Sequence, residues 1–129
     1  MEPTFNRSGV LVSPNVHDCQ WTGVWVEGRD VLISATDGTV TVTLRFHEYE
    51  RFLLENFRES TVILGVILFR AAECLPEGLY NPNEEPQADD VIQRINAGNL
   101  LLFHMRTADD GYGTITCVQL SAVADPCAE

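Results

Sequence analysis

From Trp21 to Arg45 apolar and polar residues alternate through two turns. Val24, Val26, Val31, Ile33, Ala35, Val40, Val42 and Leu44 fall at every second position once the turns are allowed for. A period of two marks strands with one buried face. Gly28-Arg29 is a turn of the Gly-X kind, and Asp37-Gly38 between β-rich runs is a strong hairpin signal. With Asp37-Gly38 as the two central residues, Thr36 faces Thr39, Ala35 faces Val40, Ile33 faces Val42 and Val31 faces Leu44. The Gly28-Arg29 turn sets Val26 opposite Val31 and Val24 opposite Ile33. Both turns gather the same eight apolar side chains on one face, and a slip of one residue would destroy the match. The pattern predicts an antiparallel β-meander over about 21–45.

The period then lengthens. Tyr49, Phe52, Leu53 and Phe57 recur at helical spacing, with Glu48 and Glu50 early and Arg58 late, as a helix dipole favours. Glu48–Arg51 and Glu55–Arg58 stand at pairing distance on the outer side of such a helix. A helix over about 47–59, packed on the meander's apolar face, is expected. Val62 to Phe69 is apolar throughout and reads as a strand buried on both faces, with a buried helix capped by Ser60 as the alternative. Residues 76–88 form a polar, proline-containing loop, expected to be mobile. A short helix from Asp89 or Asp90 through Ile95, stopped by Gly98, should follow. Leu100 to Arg106 and Thr114 to Ser121 close the chain as a hairpin around Asp109-Asp110-Gly111. Val10 to Val12 offers an edge strand. The expected class is α+β, in one domain spanning residues 1–129 with frayed ends.

Composition fits a globular domain: 129 residues, 45% hydrophobic and 21% charged. Eight basic and 19 acidic residues give a net charge of −11. That field repels phosphate backbones and anionic membrane surfaces and attracts a basic protein or peptide. All the basic residues are arginine, the usage of a GC-rich genome such as that of an actinobacterium or its phage. No basic region followed by an apolar stretch opens the sequence, and no apolar run reaches membrane length, so a cytoplasmic setting is expected. Cys19, Cys74, Cys117 and Cys127 are widely spaced and read as reduced thiols.

Candidate chemistry is sparse. His17 and Cys19 are one loose pair where zinc sites show repeated short spacings. His47-Glu48 begins like a helical zinc-protease motif, but Arg51 stands where the second histidine belongs. The oxygen-rich stretch Asn81 to Asp90 lacks the calcium-loop spacing. Cys117 and His104 could be cross-strand neighbours. No elbow surrounds a serine and no glycine-rich loop precedes a helix. Adjacent aspartates sit at expected turns. No cofactor and no metal is implied.

The remaining feature is the back of the meander. The registers place Trp25 beside Leu32, with Trp21 on the same side among Thr22, Ser34, Thr41 and Thr43. Both tryptophans on a mostly polar sheet face suggest recognition, since tryptophan is enriched at binding hot spots. The structural alternative is that the C-terminal half covers this face. Trp21, Trp25, Leu32 and Thr43 are therefore the candidate partner-binding residues. The expected function is a non-catalytic, acidic protein-binding domain of the inhibitor, antidote or immunity kind. A phage-particle or assembly protein that self-associates is the second reading, and a small enzyme using cysteine or histidine with carboxylates the third.

Overall fold

The computed structural model describes residues 2–58, 61–69, 88–109 and 111–126. Among them are ten strands and one helix. β1 (Thr4–Phe5) and β2 (Leu11–Ser13) form a small ribbon, followed by β3 (Cys19–Glu27), β4 (Asp30–Thr36), β5 (Val40–His47), β6 (Arg51–Glu55) and β7 (Val62–Phe69). Then come α1 (Ala88–Asn96), β8 (Leu101–Thr107), β9 (Tyr112–Cys117) and β10 (Gln119–Pro126). Eight strands form one antiparallel sheet in the order β10-β5-β4-β3-β7-β8-β9-β6.

That sheet folds over on itself. β3 meets β7 at only two register pairs, Cys19 with Ile63 and Gln20 with Val62. At the other side, β6 continues β5 after a bend at 48–50, and β10 continues β9 after Val118. β5 pairs with β10 and β6 with β9. Across the bends Glu50 N–H donates to the Thr116 carbonyl and Val118 N–H to the His47 carbonyl, both at 2.9 Å. Each end of the sheet thus continues the strand next to the other end, and the ladder closes. The result is two four-stranded layers, β10-β5-β4-β3 and β7-β8-β9-β6, joined at corners by strands that switch layers through bends. Closure pairs both ends of the ladder, while the outer edges of β6 and β10 beyond the bends pair with no described strand.

The core fills the space between the layers. Val31, Ile33, Ala35, Val42, Leu44 and Phe46 from the first layer meet Ile63, Val66, Phe103, Met105, Ile115 and Cys117 from the second. Phe46 and Phe103 pack edge to face at 5.4 Å. Each large side chain enclosed this way contributes about 1.5–3 kcal/mol from leaving water.

The expected α+β architecture is corrected here: the structure is mostly β, and among the described residues no helix covers the meander's apolar face. Residues 47–58 form a bend and a strand instead. Phe52 and Leu54 turn toward the core, while Arg51, Leu53 and Glu55 turn away. The triplet Phe52-Leu53-Leu54 satisfies a period of two as well as 3.6. Pairing decides, because five register pairs with β9 complete a ladder that a helix would leave open. Glu48 and Asn56, at φ 51° and 60°, break the backbone on either side. The second layer does the covering assigned to the helix.

The meander itself forms, and its inner face is as expected on β4 and β5, but Val26, expected to be buried there too, is 50% exposed. Val26 lies opposite Val31 and Val24 opposite Ile33. The second turn is displaced by one residue, so Ala35 faces Val42, Ile33 faces Leu44 and Val31 faces Phe46. Its central residues are Gly38-Thr39, with Gly38 at φ 95° and Asp37 N–H reaching the Val40 carbonyl. Asp37 Oδ1 accepts from the Thr39 and Val40 amides, both at 2.8 Å, and so works as a turn acceptor before the turn's centre. Moving a turn by one residue shifts the pairing by two, which leaves every side chain on its face.

Val62–Phe69 is a strand, though Leu64 is 36% exposed, so burial on both faces is incomplete. The short helix ends as expected: Gly98, at φ 80°, donates to the Ile95 carbonyl and Asn99 to that of Arg94. Ile95 packs with Leu100 and Leu102 on the outside of the second layer, and Arg94 pairs with Glu50 at 2.6 Å. The closing hairpin forms as β8 and β9, with Thr114 to Ser121 split at Val118 into β9 and β10. Val10 to Val12 contributes to β2 and to a bridge between Val10 and Ile67. The expected loop at 76–88, apart from its last residue, lies outside the described residues, as do Ser60, Cys74 and Cys127. Among the described residues no helix is long and apolar enough to cross a membrane.

Candidate functional site

The outer face of the first layer is built from four ranks of side chains across β3, β4, β5 and β10. Glu27, Asp30, His47 and Gln119 form the first; Trp25, Leu32, Arg45 and Ser121 the second. Gly23, Ser34, Thr43 and Val123 form the third; Gln20, Thr36, Thr41 and Asp125 the fourth. Trp25 is 43% exposed, yet Leu32 beside it is only 6% exposed. Flanked by the indole and by Arg45, Leu32 forms the floor of an apolar shelf. Thr43 is half-buried one rank away.

Trp21 does not belong to this face, contrary to the expectation that the two tryptophans share it. A bulge between Trp21 and Gly23 puts one extra residue opposite Ser34. Beyond it, side chains change sides relative to the rest of the strand. Trp21 therefore faces Ala35 and packs on the core, with Phe57 edge to face at 5.5 Å. Its indole Nε1 is buried without a hydrogen-bond partner among the described residues. Thr22, at the bulge, takes the outward position and its hydroxyl meets that of Ser34 at 2.6 Å.

A charged network borders the shelf. Asp30 Oδ2 accepts from Arg45 Nε at 2.7 Å, and Oδ1 accepts from the Glu48 amide at 3.0 Å. That amide and then the Arg45 guanidinium hold the Asp30 carboxyl below the usual carboxylate range. Arg45 also approaches Glu27 at 3.6 Å, and these carboxylates keep its pKa raised. His47 Nε2 meets Ser121 Oγ at 2.7 Å, while its Nδ1 lies 3.5 Å from Asp30 Oδ2. The order Asp30–His47–Ser121 is that of a hydrolytic triad, but two features oppose the chemistry. Asp30 Oδ2 is spent on Arg45 and stands too far from Nδ1 for a good hydrogen bond. Ser121 lies inside β10, where amides run along the ladder instead of converging on one point as an oxyanion hole requires. The network acts as a clamp: it fixes Arg45 and His47 against the sheet and so fixes the border of the shelf. Correct pairing of β5 with β10 was needed to find it, and no local signal announces a partner 74 residues away.

The other candidates disperse. His17 Nδ1 contacts the Leu64 carbonyl at 2.7 Å, whereas the Cys19 thiol is buried and points at the Asn15 carbonyl. Cys117 faces Leu101 and His104 faces Thr114, so the pair is not adjacent. Burial first, then Arg106, lowers the His104 pKa. Asp109 accepts from the Gly111 amide and the Thr107 hydroxyl, which is turn work. Among the described residues no three metal-ligating side chains come together.

Fold and site together define a small closed antiparallel β-barrel with a tryptophan shelf on one outer face. Compared with known protein families, curated proteins and solved structures, the chain matches none.

Proposed function

We propose that the protein is a non-catalytic binding module of the inhibitor, antidote or immunity kind, docking another protein on the outer face of the first layer. The observation that carries this reading is the half-exposed indole of Trp25 standing on a buried Leu32 in an ordered sheet face. An indole held by its neighbours presents apolar area at little further entropic cost, the property that makes tryptophan a binding anchor. Thr43 and Ser34 supply hydroxyls next to it, and the clamp of Asp30, Arg45 and His47 forms a polar rim. The net charge of −11 favours a partner with basic side chains, encountered faster at low salt. A cytoplasmic setting agrees with the free, buried thiols of Cys19 and Cys117.

The test is a partner recovered from the native host with the tagged protein, then titrated by calorimetry against variants. Trp25→Ala should cost about 2 kcal/mol or more of binding. Because the indole is 43% exposed, the same change should leave the denaturation midpoint nearly unmoved. Thr43→Arg should repel a basic partner on the same face. Val12→Ala, equally exposed but on β2, is the control. Unchanged affinity in both Trp25→Ala and Thr43→Arg would remove this face from the interaction. Leu32→Ala is a poor test, since at 6% exposure it damages the fold as well.

A further inference from the structure

β10 hydrogen-bonds β5 through eight consecutive register pairs, from Gln119 with His47 to Pro126 with Val40, without a bulge. Its opposite edge pairs with no described strand. The other strands that could present an edge carry guards. β7 is covered by Gly9 and Val10, where Leu68 N–H donates to the Gly9 carbonyl at 2.8 Å. β3 is interrupted by its bulge and ends in Glu27. β6 has five residues and projects Arg51 and Glu55 outward. Proteins blunt free edges with bulges, charges, proline or short length. β10 runs eight residues without a bulge, and before Pro126 its sole guard is Asp125, its one ionisable residue in a chain of net charge −11.

We infer that two copies of this chain pair antiparallel along their β10 edges, forming a twofold dimer with one sheet running through both. In such a pair a residue on the outer face must meet one on the outer face, so the axis passes through a residue opposite itself. Val123, 52% exposed on that face, is the fitting centre. Each valine then loses its exposure to its own copy, and Ala122 stands opposite Ala124. Asp125 falls opposite Ser121, and the two Asp125 carboxylates lie roughly 13 Å apart along the strands. That is beyond the screening length of about 8 Å at physiological salt, so the chain's acidity does not forbid the contact. The dimer presents both Trp25 shelves on one continuous face, but it does not depend on partner docking there.

Light scattering with size exclusion, over a wide concentration range, reads the first consequence: the apparent mass doubles as concentration rises. Val123→Cys, with Cys74 and Cys127 replaced by serine, reads the geometry. Directly opposed positions have Cβ atoms about 4.5–5.5 Å apart, close enough for a disulfide with slight adjustment. V123C should crosslink rapidly under mild oxidation, and V12C should not. Val123→Glu places two like charges face to face and should return the protein to one chain, with its circular dichroism unchanged. W25A should keep the dimer, which separates this inference from the docking role of that face. A mass that stays at one chain throughout, or V123C crosslinking no faster than V12C, overturns it. So does a dimer that survives V123E.

Discussion

Cys117 sits where β9 bends into β10, with no exposed surface and its Sγ near the Gln119 carbonyl at 3.6 Å. Removal from water pushes its pKa up to about 12. At pH 8 only about one thiol in ten thousand is then ionised, and the thiolate is the reactive form. Native Cys117 should therefore resist iodoacetamide at pH 8 and label only as the barrel opens, with a rate that tracks global unfolding when urea is added. Labelling at the speed of a free thiol would mean that the corner opens on its own. Cys19 is raised in the same direction by burial, then by Asp37 and Asp18. A cysteine mechanism needs the opposite shift. Composition alone permitted a Cys117–His104 pair; the register separates them, because one residue's pairing fixes the other's.

The bend between β5 and β6 is the element on which closure depends. Glu48 holds φ 51° there, while its amide donates to Asp30. A side chain in the left-handed region costs about 1–2 kcal/mol relative to glycine. Glu48→Gly should raise the stability read from urea unfolding, by up to about 1 kcal/mol once glycine's greater unfolded freedom is subtracted. Glu48→Val, β-branched at the same angle, should lower it by about 1–3 kcal/mol. Equal effects from both substitutions would show that the bend tolerates any φ. The same bend explains what was legible in the sequence. The faces of β4, of β5 and of β3 beyond its bulge followed from turn chemistry and alternation, and they survived a misplaced turn because that error shifts pairing by two. The extension through β6 did not follow, since its apolar triplet suits a helix equally until β9 is known to lie alongside. Of the site, Trp25 and Leu32 were paired correctly from the Gly28-Arg29 turn. Trp21 was misplaced because strict alternation carries through Thr22, although Gly23 beside it inside the strand is a local mark of a bulge. Ser121 was missed because its partner strand comes from the far end of the chain.

At the scale of the whole molecule, one closing bend and two hairpin turns are held by carboxylates that accept backbone amides in the folded state. Asp30 serves the β5–β6 bend, Asp37 the β4–β5 turn and Asp109 the β8–β9 turn. All three are held below the usual carboxylate range, chiefly by those amides. Their unfolded values are near 3.9, so the folded protein binds fewer protons there, and they contribute stability in full above that region. The contribution falls as pH drops below about 4 and is gone only beneath the lowered folded values. The net charge of −11 works the other way, because protonating the remaining exposed acids relieves repulsion over the same range. Salt separates the two. At about 0.5 M the repulsion is screened within a few ångströms, whereas hydrogen bonds to amides persist. Urea midpoints at high salt should then stay level from pH 7 to about 5 and fall below 4. Asp30→Asn, which keeps an acceptor but cannot ionise, should be less stable than the parent at pH 7. Its curve should be flatter and should approach the parent's near pH 2. A gap between the two that does not change with pH would mean that Asp30 holds the bend by shape alone, and that its charge is not what closes the barrel.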